Sequence, residues 1–463
     1  MQVPWDQIVT YYLLYSLGGL AILLTLIHML YRRRSTTSIA AWLLFMIVAP
    51  YLFVIIYFFF GIRKRSWSKE KSPLAMYAQD QQTSTNNAID TLLRNNGIPA
   101  SSSDNDLIIY TNPTEAYQRL YAALKDAKHS ISISTYILKK DIVTTELFDL
   151  LIERSKAGVD IRIIADAFGS AGIYLWQTPL NRLKKAGIEV SFFMPLFSFP
   201  FQNRLNLRYH RKIYLVDNEV LFSGGMNLAK EYMGPNHMEK RWTDLLYRCK
   251  GSLVTYYINL FESDWAYTQE LSQQKVSSST SSRHGNCELQ MIPSGPDITN
   301  DALLEAIVYG IHNVLKRVWI VTPYFVPDEL IIKALLIAKH RGIDIKLITP
   351  KESDNIIADL VRSSYMRQLQ EWGIDVALYE GPMLHAKAIL FDNETVLLGS
   401  GNLDNRSLLL NYEVATMVYS KAHVNQIDLW MKELLRDSSF VIEPAGKIRC
   451  VFENLMRIFA LQL

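Results

Sequence analysis

Residues 209–227 read YHRKIYLVDNEVLFSGGMN, and this stretch decides the fold of the chain. His210 and Lys212 are two residues apart, so on an extended strand both side chains project from the same face. An apolar run follows, then the turn-forming sequence DNE at 217–219, and then a second apolar run that leads to Asn227. The pattern predicts a β-hairpin that carries a histidine, a lysine and, at its far end, an asparagine.

The same pattern recurs at residues 385–402, which read HAKAILFDNETVLLGSGN. A single HxK pair is common by chance, because a lone strand histidine is usually a partly buried ring. Two copies of HxKxxxxD, each followed by the same Gly-x-x-Asn, indicate a duplicated functional motif. The matched residues are His210, Lys212, Asp217, Gly224 and Asn227 in the first copy and His385, Lys387, Asp392, Gly399 and Asn402 in the second.

The chain around the two motifs is duplicated as well. GVDIRII at 158–164 is echoed by GIDIKLI at 342–348, and Tyr136 and Tyr324 end matching strands. Strands alternate with helices in both halves, which is typical of an α/β sandwich. Helices are predicted at 88–94, 115–127, 144–156, 302–316 and 328–340. Strands are predicted at 131–137, 159–165, 188–193 and 317–322, besides the two hairpins.

Two stretches near the N-terminus, 11–30 and 38–60, contain no Lys, Arg, Asp or Glu. Each is long enough to cross ~30 Å of hydrocarbon as a helix, so we predict two transmembrane helices. The alternative is a pair of buried core helices, but the lengths and the missing charges favour lipid. No basic segment precedes the first stretch and a second one follows it directly, which argues against a signal peptide.

Basic residues flank the predicted spans on both sides. Three arginines, 32–34, lie between them, and five Lys or Arg follow the second span at 63–71. The larger number of basic residues belongs on the cytoplasmic side, which favours a cytoplasmic catalytic part. The arginines between the spans oppose this topology.

The paired motif resembles the signature of the phospholipase D superfamily. SGPD at 294–297, TPYFVPD at 322–328 and the HRK form of the first motif resemble bacterial cardiolipin synthases, over nearly the whole chain. The resemblance implies an α/β fold of two tandem phospholipase D-like sandwich lobes with pseudo-twofold symmetry, preceded by two N-terminal transmembrane helices. The expected parts are a membrane anchor at 1–72, a linker at 73–105, a first lobe at 106–268, a linker at 269–285 and a second lobe at 286–463.

Half a site in each lobe predicts that the two hairpins meet around one phosphate. Two ammonium groups and two amides would neutralise its non-bridging oxygens, most strongly in the transition state. One neutral imidazole would attack phosphorus to form a phosphohistidine, while the other would protonate the leaving oxygen and then activate the incoming hydroxyl. The catalytic motif residues are His210, Lys212, Asp217, His385, Lys387 and Asp392, and the phosphate-binding residues are Asn227, Asn402 and Ser400.

The roles within this set differ. The resemblance places the nucleophile at His210 and the acid/base at His385, although the near-symmetry of the sequence leaves the order open. The aspartates of the two motifs fall at the hairpin turns, and we interpret them as structural. Asp244 and Glu413 each start a strand after their hairpin, and each is predicted to accept a hydrogen bond from the neighbouring histidine. The alternative is that both are ordinary strand-end carboxylates.

Two further features point to the substrate. The stretch FFMPLFSFPF at 192–201 contains two prolines, which disfavour a long helix or a central strand. It predicts an acyl-chain access path or a membrane-dipping loop, or else a loop packed on the protein's own core. Arg204, Arg208 and Arg211 would meet anionic headgroups or form structural ion pairs. The first motif has Gly225 where the second has Ser400, so a hydroxyl contact is expected on the second side only.

Composition excludes several other classes. A net charge of +3 does not indicate bulk nucleic-acid binding, and three scattered cysteines give neither a disulfide framework nor a zinc spacing. No metal or cofactor is expected. The resemblance implies a multi-pass protein of the bacterial cytoplasmic (inner) membrane that moves a phosphatidyl group between two phosphatidylglycerol molecules. Its partners would be anionic phospholipids, and a homo-oligomer is left open. The alternatives are a membrane-bound phospholipase D-type hydrolase and a non-catalytic scaffold.

Overall fold

The computed structural model describes residues 5–32, 34, 36–61, 71, 74, 87–195, 207–271, 284–298 and 300–457. The chain divides into two compact units. The first consists of the N-terminal helices and ends at Ser66, and the second begins at Trp67 and contains both duplicated halves. The two halves therefore fold as one body, the catalytic unit.

The N-terminal unit contains α1 (Trp5–Tyr31), α2 (Thr36–Val48) and α3 (Pro50–Phe60). Among the described residues only α1 is long and apolar enough to cross a membrane, with 27 residues and a mean hydropathy of 2.0. The second predicted span is two shorter helices, because Pro50 lacks an N–H and pushes the preceding Ala49 out of the helical conformation (φ −147°, ψ 81°). The prediction of two continuous transmembrane helices is therefore not confirmed.

The catalytic unit alternates helices and strands, as predicted. Its helices are α4 (Ala88–Asn95), α5 (Pro113–Lys125), α6 (Ile142–Lys156), α7 (Ala171–Leu175), α8 (Thr178–Lys185), α9 (Ser252–Thr268), α10 (Ala302–Asn313), α11 (Glu329–His340), α12 (Ile356–Glu371), α13 (Asn405–Leu409), α14 (Lys421–Arg436) and α15 (Lys447–Met456). Its strands in the first half are β1 (Ser102–Tyr110), β2 (Ser130–Thr135), β3 (Asp160–Asp166), β4 (Glu189–Phe193), β5 (Ile213–Val216), β6 (Val220–Gly224) and β7 (Leu246–Lys250). Those in the second are β8 (Cys287–Ser294), β9 (Arg317–Val321), β10 (Phe325–Val326), β11 (Asp344–Pro350), β12 (Asp375–Tyr379), β13 (Ala388–Phe391), β14 (Thr395–Gly399), β15 (Leu403–Asp404), β16 (Glu413–Val418) and β17 (Ser438–Ser439).

One continuous sheet joins the two halves. Its strand order is β17-β12-β11-β9-β13-β14-β16-β8-β1-β7-β6-β5-β2-β3-β4. The order reads alike outward from the centre, where β1 and β8 pair antiparallel, so the halves are related by a pseudo-twofold axis at that junction. α9 and α14 lie over the central strands and bury a shared core. β1 begins at Ser102, inside the stretch predicted as a linker, so that boundary was placed too late.

Local sequence signals explain where several elements begin and end. α6 starts at a capping box in which Asp141 Oδ1 accepts the N–H of Thr144 and Thr144 Oγ1 accepts the N–H of Asp141, each at 3.0 Å. The helix ends before Gly158, whose φ of +93° is a left-handed conformation that favours glycine. Gly342 follows α11 in the same way, with φ +81°. The echoed segments at 158–164 and 342–348 are thus two matching helix-to-strand turns.

The motif aspartates lie in the hairpin turns. Asp217 and Asp392 both have positive φ, 52° and 53°. Asp217 accepts the backbone N–H groups of residues 128–130, and Asp392 accepts those of residues 315–317. Each carboxylate therefore fastens the turn of its hairpin to the loop that precedes β2 or β9. Asp217 and Asp392 were predicted among the catalytic motif residues, but their contacts are structural.

We expect Asp392→Ala to lower the free energy of unfolding by about 1–3 kcal/mol, because three backbone donors lose a charged acceptor. Urea unfolding in detergent would measure this loss. Turnover per folded molecule is expected to stay within about twofold of the wild type, since no reacting group is touched. A large loss of turnover at unchanged stability would instead assign this aspartate to the chemistry.

A buried ion network lies behind the first motif. Lys71 Nζ is 2.5 Å from Asp264 and 2.6 Å from Asp297, and the guanidinium of Arg211 reaches the same two carboxylates at 2.6 and 3.1 Å. The Tyr209 hydroxyl also donates to Asp264, at 2.9 Å. Two cations balance two anions in the interior, and the network holds both residues that flank His210 along the chain.

We expect Lys71→Met to destabilise the protein by about 3–5 kcal/mol, because it leaves one buried carboxylate uncompensated. Lys432→Met provides the control, since that lysine forms an exposed pair with Asp428 and little change is expected. Restoring the charge balance in Lys71→Met/Asp297→Asn should recover part of the loss. Equal stability of the Lys71 variant and its control would contradict the prediction.

Candidate active site

The two motif histidines line the same cavity. It has a volume of about 340 Å³ and is lined by residues of both halves. His210 and His385 are both buried, at 8% and 4% exposure, so each ring presents only an edge to the cavity. Tyr136, directly after β2, and Tyr324, three residues after β9, line it as well. The structure thus brings together what the duplication predicted would meet.

Each histidine is held by the opposite half. The backbone N–H of His210 donates to the carbonyl of Tyr412 at 2.9 Å, and that of His385 donates to the carbonyl of Thr243 at 2.8 Å. The motif histidines and lysines therefore precede β5 and β13 rather than lying within those strands. The backbone of each motif histidine pairs with the opposite half. The prediction of a regular strand through both motifs was therefore wrong at these residues.

The side-chain hydrogen bonds cross in the same way. His210 Nδ1 lies 2.9 Å from Glu413 Oε2, and His385 Nδ1 lies 2.7 Å from Asp244 Oδ2. Glu413 directly follows Tyr412, whose carbonyl accepts the backbone N–H of His210. Asp244 directly follows Thr243, whose carbonyl accepts that of His385. Each carboxylate lies within hydrogen-bond distance of a motif histidine, as predicted, but that histidine belongs to the opposite half and not to the carboxylate's own hairpin. With Nδ1–H donated to a carboxylate, Nε2 keeps its lone pair for chemistry.

Ser400 supports a carboxylate. Its buried hydroxyl donates to Glu413 Oε2 at 2.6 Å and accepts the N–H of Val414 at 3.1 Å. It was predicted to bind the substrate phosphate, but its hydrogen bonds are used inside the protein. On the other side, a Cβ at Gly225 would lie 2.2 Å from Asp244 Oδ1. Asp244 approaches the first hairpin so closely that position 225 has no room for a side chain. Glu413 leaves room for the Ser400 hydroxyl in the second hairpin.

We expect Gly225→Ala to lower turnover about 100-fold or more, because the added methyl displaces the Asp244 carboxylate from His385. Gly401→Ala is the matched control. A Cβ there would lie 3.5 Å from Glu413, an ordinary contact. Steady-state rates measured below the melting temperature of each variant would separate displacement of the carboxylate from unfolding. Similar rates for both variants would contradict the prediction.

Burial and neighbouring charges shift the protonation of the site. Desolvation lowers the pKa of His210 to about 4, and desolvation together with the charge of Lys387 lowers that of His385 to about 3. Desolvation also lowers the pKa of Lys212 to about 7 and that of Lys387 to about 8. Both imidazoles are therefore neutral at pH 7. A bound phosphodiester anion would raise all four pKa values and favour one protonated histidine.

Each motif lysine contacts the histidine of its own motif, while the two asparagines differ in position. Lys212 Nζ donates to the carbonyl of His210 at 2.8 Å, and Lys387 Nζ lies 3.0 Å from His385 Nε2. Asn402 lines the cavity. Asn227 is fully buried and its Oδ1 lies 3.3 Å from the N–H of Ile137. Among the residues that the structure describes, no group of three or more His, Cys, Asp or Glu is arranged to hold a metal ion.

Sequence reasoning missed several residues of this site. The ring of Tyr232 meets that of His385 edge-on at 4.9 Å, and Trp242 packs on the same ring at 5.3 Å. Both come from the irregular stretch between Asn227 and β7, which carries no periodic signal. Arg406 and Asp404 also line the cavity, and the only sequence signal for them is their closeness to Asn402.

The aromatic stretch and its arginines are only partly described. Phe193 ends β4 and stacks on Tyr209 at 4.5 Å, inside the core. Arg211 is fully buried in the ion network, so it forms a structural ion pair rather than a headgroup contact. Arg208 lines the cavity. The remaining positions of this prediction, 196–201 and Arg204, lie outside the described residues.

The chain resembles characterised proteins over most of its length. A family model described as "Cardiolipin synthase, PLD-like domain" matches residues 120–265 and 307–435, more than half of the chain. Cardiolipin synthase 1 of Bacillus anthracis is 27% identical over 99% of this chain and 95% of its own length. The major cardiolipin synthase ClsA of Bacillus subtilis is 30% identical over 92% of both chains.

A solved structure shares the fold. Phosphatidylserine synthase of Haemophilus influenzae superposes with a TM-score of 0.62 at 14% identity, over 81% of this chain and all of the other. At this identity the likeness concerns the fold only. The duplicated sheet, the two histidines in one cavity and the match to both halves lead to one assignment. The chain belongs to the cardiolipin synthase family of the phospholipase D superfamily, and it is a phosphatidyltransferase.

Proposed function

We propose that the protein joins two phosphatidylglycerol molecules into cardiolipin and releases glycerol, through a phosphohistidine. The observation that carries this proposal is that both motif histidines, each backed by a carboxylate of the opposite half, line one cavity. A binding scaffold has no need for two such matched pairs. A phosphodiester in the cavity would meet both imidazoles, the motif ammonium groups and the Asn402 amide.

In the first step, Nε2 of His210 bonds to phosphorus and the bond from phosphorus to the glycerol oxygen breaks. His385, protonated once the anionic substrate is bound, gives its proton to that oxygen, and free glycerol departs. Glu413 accepts the hydrogen bond of His210 Nδ1–H and stabilises the positive charge of the phosphohistidine. The assignment of nucleophile to His210 rests on the family resemblance and is tested below.

In the second step, a terminal hydroxyl of another phosphatidylglycerol loses its proton to His385 and bonds to phosphorus. The bond between phosphorus and His210 breaks, which restores the neutral nucleophile and releases cardiolipin. Asp244 orients His385 throughout, through the hydrogen bond at Nδ1. Exclusion of water at this stage separates a transferase from a hydrolase, since the covalent step is common to both.

The N-terminal unit provides the membrane anchor in this proposal. α1 crosses the bilayer, and the apolar α2 and α3 return as one span kinked at Pro50, which membrane helices tolerate. The catalytic unit then lies on the cytoplasmic side of the inner membrane, where the larger number of flanking basic residues belongs. Thiol labelling of Ser439→Cys in intact cells and in inverted vesicles tests the side, and labelling of intact cells would contradict this placement.

Radiolabelled phosphatidylglycerol in mixed micelles tests the activity of the purified full-length protein. Equal amounts of cardiolipin and free glycerol are expected. Phosphatidic acid as the main product would identify a hydrolase, and no turnover at all would identify a scaffold. The double variant His210→Ala/His385→Ala is the control for contaminating enzymes, and it should form neither product.

A further inference from the structure

Two arginines in the cavity stand outside the duplicated set. Arg208 precedes the first motif histidine by two residues, where the second copy has Met383. Arg406 follows the second motif asparagine by four residues, where the first copy has Glu231. Both arginines line the cavity of the two histidines. The residues proposed to bind the scissile phosphate occur in both halves. Arg208 and Arg406 have no arginine counterpart in the other half, so we assign them a different role.

Both arginines belong to the same cavity as His210. Arg208 is only 4% exposed and its guanidinium lies 4.8 Å above the ring of Phe168. Burial and the positive charge of Arg406 both lower the pKa of Arg208. Both cations also act on the hydroxyl of Tyr136, whose ring meets that of His210 edge-on at 4.9 Å. Two like charges thus line the cavity of the reacting histidines.

The charges of two buried carboxylates also act on these arginines. Asp166 faces Arg208, but it also accepts the backbone N–H groups of Phe168, Gly169 and Tyr209 at 2.8–2.9 Å. Asp404 faces Arg406 and accepts the N–H of Ser407 at 2.7 Å, which caps α13. Burial raises the pKa of both carboxyl groups, to about 6 for Asp404. An anion placed between the two guanidinium groups would relieve their repulsion.

The proposed reaction brings such an anion. The accepting phosphatidylglycerol carries a phosphodiester of its own, one glycerol unit away from the hydroxyl that attacks. A guanidinium group binds a phosphate through two parallel hydrogen bonds, which gives orientation as well as affinity. We propose that Arg208 and Arg406 form a second phosphate subsite, which holds the phosphodiester of the accepting lipid while its hydroxyl reaches the phosphohistidine.

This inference rests on the proposed function, and it explains how the enzyme selects its acceptor. The covalent intermediate reacts with any hydroxyl that reaches it, so a phosphate-bearing alcohol must be favoured over water and neutral alcohols. A subsite that recognises only the acceptor phosphate does this without changing the first step. The subsite is therefore expected to act on the choice of acceptor and not on formation of the phosphohistidine.

Competition between two acceptors tests the subsite. The purified full-length protein is given labelled phosphatidylglycerol together with n-butanol, and both cardiolipin and phosphatidylbutanol are measured. We expect Arg406→Gln to lower cardiolipin formation roughly 10- to 100-fold, the loss typical of a charged hydrogen-bonded contact. Phosphatidylbutanol formation should stay within about twofold of the wild type. Arg208→Gln should show the same selective loss, and Arg406→Lys a smaller one.

The controls separate the possible outcomes. Arg317→Gln removes an arginine that pairs with Asp428 away from the cavity, and it should leave the ratio of the two products unchanged. Because Arg208 is buried, its replacement could unfold the protein. The result for Arg208→Gln is therefore used only if the melting temperature of this variant is close to that of the wild type. Equal loss of both products, or no loss of cardiolipin, in Arg406→Gln would overturn the subsite. A wild-type protein that forms no cardiolipin would instead overturn the proposed function.

Discussion

Replacing His385 with alanine is expected to abolish cardiolipin formation and, with a substrate whose leaving group needs no proton, to leave the protein phosphatidylated on His210. The variant keeps the nucleophile but has no group to activate the accepting hydroxyl, and loss of a general acid and base costs roughly 100- to 10,000-fold per step. Phosphatidyl-p-nitrophenol separates the steps, because nitrophenolate departs without a proton. The expected result is a burst of one equivalent of nitrophenolate, followed by a stop.

The reciprocal variant defines which histidine reacts. His210→Ala should give no burst with the same substrate, since no imidazole is left to attack phosphorus. His423→Ala is the control, because that ring bonds the carbonyl of Leu107 outside the cavity and should leave turnover intact. A burst in His210→Ala but not in His385→Ala would reverse the assignment, and the absence of a burst in both would remove the covalent intermediate.

Glu413→Gln is expected to lower turnover by roughly 1,000-fold or more, the effect of removing the carboxylate that orients a catalytic imidazole. The amide keeps the size of the side chain but carries no charge to stabilise the phosphohistidine. Because the negative charge of Glu413 raises the pKa of His210, its removal lowers that pKa further. His210 then stays neutral at every working pH, so the loss cannot be recovered by raising the pH.

The crossed pairing makes this prediction specific to one step. Glu413→Gln should suppress the nitrophenolate burst, since Glu413 serves His210, whereas Asp244→Asn should keep the burst and stop afterwards. Glu288→Gln is the control, because that carboxylate accepts the hydroxyl of Ser101, far along β8 from the cavity. The opposite pattern, with Asp244→Asn suppressing the burst, would mean that each carboxylate serves the histidine of its own half.

Much of this architecture follows from local sequence. The repeated HxKxxxxD motif, the echoed helix-to-strand turns and the alternation of apolar runs predicted two α/β halves and a shared site. Most predicted helices and strands lie within a few residues of the observed ones, as at α6 and β3. These features depend on the spacing of apolar residues and on secondary-structure propensity over short stretches. Such local signals do not depend on the tertiary position of the stretch.

Only the tertiary structure decided which groups meet. Ser400 reaches Glu413 within the second half, through the pairing of β14 with β16. Glu413 serves His210 because β1 and β8 join the halves and set each motif against the opposite strand. Arg208 and Arg406 come together for the same reason, although neither belongs to a repeated pattern. The sequence by itself determined the two half-sites and their chemistry. Each motif histidine pairs with a carboxylate of the opposite half, and this crossing depends on strand pairing across a pseudo-twofold axis. No short stretch of the chain encodes the register of that pairing.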